Sequence, residues 1–304
     1  MSDRVAAVDC GTNSIRLLIA DLVDGRLVEV DRRMTIVRLG QGVDATGAFA
    51  PEALERVFAA TEEFAAVLQS EDVRRIRFVA TSAARDVSNR DEFLAGIEQR
   101  LGVRPEIISG DEEAALSFRG ATSALDLPAP YLVADIGGGS TELVLGDRTG
   151  VRAAQSLDIG SVRLTERHVT TDPTSPAELT AITKDVDALL DTTTVPLHET
   201  RALIAVAGTA TTVAAVALNL PQYDRAAIHH AILSTDQLRE ATTWLTTSTR
   251  AARSAVPSIH PGRVDVIGAG AVILQRLADR LPLNTLTISE HDILDGVALS
   301  LTGH

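Results

Sequence analysis

Aromatic residues make up only 3% of this 304-residue chain, and cysteine occurs once, at Cys10. A single cysteine excludes an intramolecular disulfide and fits a reducing compartment, so a cytoplasmic location is expected. No uninterrupted apolar stretch approaches the ~20 residues of a membrane-spanning helix, so no membrane association is expected. Met1-Ser2-Asp3-Arg4 runs straight into a short strand, without the pattern of a signal peptide. Basic residues are in the minority, 28 Lys and Arg against 41 Asp and Glu. The formal net charge of −13 argues against broad nucleic-acid binding through a basic surface. An anionic substrate is still admissible, because local arginines, backbone amides and a metal ion can invert the field inside a cleft. Phosphate binding by so acidic a chain is expected to depend on divalent cations. Cys10 lies between a strand end and a glycine with no His motif beside it, and reads as a small turn residue rather than a nucleophile.

What is present is an ordinary globular composition, 45% apolar and 23% charged, long enough for two compact domains. Two stretches 126 positions apart nearly repeat each other. Val8-Asp9-Cys10-Gly11-Thr12-Asn13-Ser14 precedes the apolar run Ile15 to Ala20, and Ala134-Asp135-Ile136-Gly137-Gly138-Gly139-Ser140-Thr141 precedes Leu143-Val144-Leu145. Each is an apolar strand ending in Asp, a Gly/Ser/Thr turn, and a second apolar strand. Such turns let successive backbone N–H groups approach an anion, with small hydroxyls as further donors. Two of them suggest two phosphate-gripping loops facing each other across a cleft.

The pattern between the turns supports duplication. Strands are predicted at Val5–Val8, Ile15–Asp21 and Leu27–Arg33, a helix from Pro51 to about Gln69, a strand at Ile76–Ala80, a helix over Arg90–Leu101, a strand at Pro105–Ile108 and a helix from Gly110. The second half repeats the order with strands Tyr131–Asp135, Thr141–Gly146 and Val151–Leu157, helix Pro176–Leu190, strand Ala202–Ala207 and an alanine-rich helix opening at Gly208-Thr209-Ala210. Helices near Ser234–Trp244 and Pro261–Arg280, strand Thr285–Ile288 and a closing helix Glu290–Leu301 follow. The expected fold class is α/β, with two duplicated domains, each a mixed five-stranded sheet with helices. The boundaries are 1–125 and 126–289, with the closing helix 290–304 returning to the first domain and a hinge at Pro128 and Pro130. A dinucleotide-binding fold is excluded because both glycine turns lead into strand-like segments rather than helices. No Gly-Lys-Ser/Thr follows either turn, which excludes a Walker loop.

This arrangement resembles the actin-like (ribonuclease H-like) ATPase superfamily, and more specifically the exopolyphosphatase / guanosine pentaphosphate phosphatase (Ppx/GppA) family. The motifs carrying the resemblance begin with Asp9-Cys10-Gly11-Thr12-Asn13-Ser14, Arg38-Leu39-Gly40-Gln41-Gly42 and Ala80-Thr81-Ser82-Ala83-Ala84-Arg85. They continue with Ser109-Gly110-Asp111-Glu112-Glu113-Ala114, Asp135 to Glu142, Gly160-Ser161-Val162-Arg163, Gly208-Thr209 and Arg263-Val264-Asp265. The chain ends at His304 without the C-terminal helical domains of long members, so it is similar to a short two-domain form. The resemblance implies a hydrolase that releases orthophosphate from the end of inorganic polyphosphate with Mg2+, or another divalent cation. Hydrolysis of guanosine pentaphosphate, which would tie the chain to the stringent response, is the alternative. It also hints at a homodimer. An actin-like kinase and a non-catalytic alarmone sensor are the further readings to be tested.

Hydrolysing a phosphoanhydride needs a positioned water, a base, and positive charge on the equatorial oxygens. The resemblance places the catalytic glutamate just before Ala114, making Glu113 the candidate base; the competing reading is that Asp111, Glu112 and Glu113 merely suit a helix N-terminus. Asp135 and Glu142 flank the glycine loop on opposing strands and are candidate metal ligands, with Asp9 the pseudo-symmetric third. Phosphate donors are Gly11, Thr12, Asn13 and Ser14 on one loop and Gly138, Gly139, Ser140 and Thr141 on the other, with Gly208 and Thr209. Arg85 and Arg163 are the arginines expected on phosphate; Arg38 and Arg119 are weaker choices. His229-His230 has no third ligand at metal spacing, and His291-Asp292 sits at a helix start without partner histidines. Trp244 reads as core.

Overall fold

The structure, a computed structural model, describes residues 3–24, 26–85, 87–123 and 125–302. It divides into two compact units, Met1–Ser123 with Ile293–His304, and Ala124–Asp292.

The first unit opens with a meander, β1 (Asp3–Cys10), β2 (Ser14–Val23) and β3 (Arg26–Ile36), because its connections are too short for a parallel crossover. A single turn α1 (Val43–Thr46), then α2 (Pro51–Ser70), β4 (Arg75–Ala80), α3 (Arg90–Leu101), β5 (Glu106–Ile107) and α4 (Gly110–Thr122) follow. The sheet order is β3-β2-β1-β4-β5, with β4 parallel to β1 and β5 parallel to β4.

The second unit repeats this plan. Its elements are β6 (Tyr131–Ile136), β7 (Thr141–Asp147), β8 (Gly150–Leu157), α5 (Ser161–His168), α6 (Pro176–Leu190), β9 (Ala202–Val206) and α7 (Ala207–Ala217). Then come α8 (Arg225–Ile228), β10 (Ile232–Ser234), α9 (Thr235–Thr247), α10 (Arg250–Ser254), α11 (Ile267–Ala278) and β11 (Thr285–Ile288). The order β10-β11-β9-β6-β7-β8 matches the first sheet, with β11 in the place of β5 and β10 added antiparallel at the edge. The chain ends in α12 (Ile293–Ser300), which packs on α4 and β1 of the first unit.

The expected fold class holds, and the second sheet carries one strand more than expected. That strand is three residues long, with Ile232 exposed and Leu233 buried, too short for alternation to register in the sequence. Several boundaries also move. The strand expected to end at Ala207 ends at Val206, and the helix expected from Pro261 is a 3-10 turn at Pro261–Arg263 followed by α11. The closing helix starts at Ile293 rather than Glu290. Ser289 Oγ donates to the His291 carbonyl at 2.9 Å and accepts the His291 amide at 3.0 Å, a local turn that holds the chain out of the helix.

Strand β1 shows why both faces of the sheet must be covered. Ala6, Val8 and Cys10 point into one core with Phe64, Phe78 and Phe93, while Val5 and Ala7 point into another with Leu116, Leu294 and Val297. The second core depends on Gly296. A Cβ there would lie 1.9 Å from the Leu116 carbonyl oxygen, so α12 and α4 touch backbone to backbone. Gly296→Ala should cost at least about 2 kcal/mol and lower the thermal midpoint by roughly 5 °C; an unchanged melting curve would show that the helix pair tolerates a wider spacing.

Candidate active site

Both Asp-to-Ser turns close with the same hydrogen bond. The Gly11 amide donates to the Ser14 carbonyl at 2.9 Å, and the Gly137 amide donates to the Ser140 carbonyl at 3.0 Å. The two closing bonds thus fall on equivalent residues at the 126-position offset. Each is buttressed from the segment after its third strand. In the first unit the Gly40 amide donates to the Thr12 carbonyl at 2.8 Å, and the Val37 and Arg38 amides donate to the Asn13 carbonyl. In the second, the amides of Val162 and Arg163 at the start of α5 donate to the Gly138 carbonyl at 2.9 and 3.1 Å, and Ser161 donates to Gly137. The buttress needs glycine, since a Cβ at Gly160 would sit 2.3 Å from the Gly138 oxygen.

The consequence is a polarised loop. Its carbonyls are turned to the N-terminus of α5, while among the described residues no backbone carbonyl accepts from the amides of Gly138, Gly139 or Ser140. Arg163 Nε donates to the Gly139 carbonyl at 2.8 Å, and the buried Thr141 hydroxyl donates to the Ile159 carbonyl at 2.8 Å. Successive free N–H groups of this kind form an anion-binding concavity.

Beside the loop the two hairpins differ in charge. Asp135 stands directly across the ladder from Glu142, and both are buried. Directly opposed side chains lie on one face with Cβ atoms about 5 Å apart. The next strand adds Ser156, which donates to Glu142 Oε1 at 2.7 Å. At the equivalent place in the first unit, Asp9 faces Arg16, whose Nη2 reaches Asp9 Oδ2 at 2.5 Å. Position 16 is the counterpart of position 142, so one hairpin carries an internal ion pair and the other two carboxylates. Among the described residues no group of three His, Cys, Asp or Glu side chains is gathered to hold a metal unaided. Two hard oxygen donors on one face nevertheless suit Mg2+, which is usually held by one or two carboxylates plus water and substrate phosphates.

The first unit brings Arg85 and Glu113 together, a pairing absent from the sequence reading. Ser109 caps α4, accepting from the Glu112 amide at 3.2 Å, and Glu113 is buried one residue further into the first turn. Arg85 Nε donates to the Ile108 carbonyl at 3.1 Å and Arg85 Nη2 forms an ion pair with Glu113 Oε2. Nearby in the chain, the Thr12 and Ser82 hydroxyls are 3.1 Å apart, tying the first loop to the segment after β4.

At the start of α7, Gly208 and the buried Thr209 follow Ala207, which has φ +63°. Arg263 lies across Gly208, its Nη1 donating to the Gly208 carbonyl at 2.8 Å and to Thr212 Oγ1 at 3.1 Å. Arg263 belongs to one of the sequence motifs, but its place against a glycine is visible only in three dimensions. The Tyr223 phenol is pushed above its ordinary range by burial and by the adjacent Glu290 carboxylate.

One expectation is corrected here. His291 does have partner histidines, its ring lying 4.5 Å from that of His229, which in turn lies 3.7 Å from His230. Burial, and secondarily His291, holds the His230 imidazole below its ordinary value of 6.5. The unfolded chain therefore binds the extra proton first. This stabilisation is complete above about pH 6.5 and is lost as pH falls through the folded value. The thermal midpoint should drop between pH 7 and pH 5, and His230→Asn, which keeps the φ of +65° accessible, should flatten that slope. Equal slopes for both proteins would remove His230 as the source.

The profile of the Ppx/GppA phosphatase family matches residues 18–304. The chain belongs to that family. It is 50% identical to Exopolyphosphatase 2 of Mycobacterium tuberculosis, over 99% of both chains. A solved exopolyphosphatase from Cytophaga hutchinsonii is 27% identical with a TM-score of 0.90, covering 99% of this chain and 98% of that one. A guanosine-5'-triphosphate,3'-diphosphate pyrophosphatase of Vibrio cholerae is 37% identical over 54% of this chain and 33% of its own length. No helix among the described residues is long and apolar enough to cross a membrane.

Proposed function

We propose that this family member is an exopolyphosphatase, a phosphoanhydride hydrolase that removes the terminal phosphate of inorganic polyphosphate in the cytoplasm. One observation carries the chemistry: a glycine loop with three amides turned away from its own buttress, set beside two opposed, buried carboxylates. The choice of polyphosphate follows the relative named Exopolyphosphatase 2, similar over its whole length.

In this reading each hairpin turn is a phosphate-binding loop. The amides of Gly138, Gly139 and Ser140, with Gly11, Thr12, Asn13 and Ser14, hydrogen-bond the phosphoryl oxygens, and Gly208 and Thr209 extend that row. Arg85 and Arg163 add positive charge in planar, bidentate form. Asp135 and Glu142 would hold Mg2+, which when bound neutralises charge on the phosphoryl oxygens. Asp9, held by Arg16, orients the first hairpin and is the pseudo-symmetric candidate for a metal-site carboxylate there. Glu113 takes a proton from the attacking water as its oxygen bonds to the terminal phosphorus. The bridging P–O bond breaks, and the electrons leave with the shortened chain. Arg85 must release Glu113 for this step, and a phosphate arriving at Arg85 supplies the competing anion.

The guanosine pentaphosphatase reading has one support, the partial likeness to the Vibrio cholerae pyrophosphatase. Initial rates of phosphate release in Mg2+ from polyphosphates of graded length and from guanosine pentaphosphate decide between them. Faster turnover of polyphosphate is expected; a clear preference for the nucleotide overturns that choice.

A further inference from the structure

An open cavity of about 630 Å³ lies in the second unit, lined by Pro130, Arg152, His198, Glu199, Thr200, Arg201, Pro282 and Leu283, the charged side chains among them exposed. Its place in the fold separates it from the residues considered so far. Pro130 precedes β6, Arg201 precedes β9, and Pro282-Leu283 precedes β11, while Arg152 lies near the start of β8. Strands β6, β9 and β11 are mutually parallel, and β8 runs with β6 because each is antiparallel to β7. All these residues therefore gather at the amino edge of the sheet. Asp135, the glycine loop and Gly208 stand at the carboxyl edge. Five residues of β6 separate Pro130 from Ile136, so the two edges are roughly 16–20 Å apart.

Open α/β sheets bind their ligands at the carboxyl edge, so two arginines in a cavity at the other edge of an acidic protein call for a separate reason. Arg201 is fixed by its backbone, its amide donating to the Pro130 carbonyl at 2.8 Å, and among the described residues its guanidinium has no ion-pair partner. Arg152 pairs with Asp147 at the surface, but that carboxylate already accepts the amide and hydroxyl of Thr149 at 2.7 and 2.6 Å. The Arg152 side chain is half exposed, so it can turn from Asp147 to another anion at modest cost. His198 adds an imidazole on the same cavity wall. Opposite in character are Pro130, Pro282 and Leu283, an apolar surface that a bare ion would leave uncovered. The volume is in the range of pockets for small organic ligands.

We propose that this cavity is a second binding site, for a small organic phosphate, with Arg152 and Arg201 on the phosphoryl group and the proline–leucine wall against the organic body. The site is independent of the hydrolytic reading. The test is calorimetric titration of the full chain with adenosine 5'-monophosphate, beside adenosine and inorganic phosphate as separate arms. Binding is expected for the nucleotide and not for adenosine, with inorganic phosphate at least about tenfold weaker. Arg201→Glu should weaken nucleotide binding about tenfold or more, since a charge-assisted contact becomes repulsive, while leaving basal phosphate release from polyphosphate unchanged. Arg85→Ala, which disables the other anion site, should leave the titration unchanged. No binding of the nucleotide at millimolar concentration, equal affinity in Arg201→Glu, loss of binding in Arg85→Ala, or inorganic phosphate binding as tightly as the nucleotide would each overturn the assignment. Should Arg201→Glu fail to fold, Arg152→Glu at the exposed edge serves the same comparison.

Discussion

Glu113→Gln is expected to lower kcat for phosphate release by about 10²- to 10⁴-fold, the usual worth of a positioned general base, while KM changes little. The substitution keeps the shape of the side chain and a hydrogen-bond acceptor for Arg85, so the first turn of α4, capped by Ser109, should stay in place. Two competing accounts give different numbers. If Glu113 only complements the helix dipole, its neutralisation costs about 0.3–1 kcal/mol of stability and no turnover. If it only holds Arg85 in place, Gln should retain most of that function and Arg85→Ala should be the more damaging change. Steady-state kinetics on both variants, with circular dichroism to establish folding, separates the three.

The second large effect is expected at the other hairpin. Asp135→Asn and Glu142→Gln should each reduce activity by at least about 10²-fold and raise the Mg2+ concentration needed for half-maximal rate by 10- to 100-fold, the scale seen for lost metal-site contacts. Asp9→Asn should behave differently. Asp9 is 4% exposed and paired with the part-buried Arg16, so neutralising it loses a charge-assisted hydrogen bond and should cost about 2 kcal/mol of stability. Its effect on Mg2+ dependence should be the smaller of the three. An activity that stays equally Mg2+-dependent in Asp135→Asn and Glu142→Gln would show that these carboxylates do not hold the ion. The charge difference between Arg16 and Glu142, at the same position of two otherwise matching turns, is the physical reason for expecting unequal behaviour.

Much of this was legible in the sequence, and the reason is local. Strand–turn–strand repeats carry their own register, so the first three strands of each sheet follow from short-range pattern alone, and the Asp135–Glu142 juxtaposition comes with them. The Asp9–Arg16 pair obeys the same rule and was open to the same inference, because the hairpin that pairs Cys10 with Ile15 sets Asp9 opposite Arg16. Other features depend on contacts between distant segments. Arg85 meets Glu113 only because β4 and β5 lie parallel and in register at Ala80 and Ile107, which brings the residues after both strands to one edge. His291 reaches His229 across more than sixty residues, through the turn that displaces the start of α12. The sixth strand was invisible because a three-residue edge strand has no period to detect. Gly296 and Gly160 looked like ordinary helix and loop glycines until backbone atoms were found where their Cβ atoms would be.

The most direct measurement is orthophosphate release by the purified chain from inorganic polyphosphate, with Mg2+ present and again with a chelator. Steady release that stops on chelation and falls at least about 10²-fold in Glu113→Gln is the expected result. A folded wild-type protein that liberates no orthophosphate above a heat-inactivated control, or one whose Glu113→Gln variant works at the wild-type rate, would contradict it.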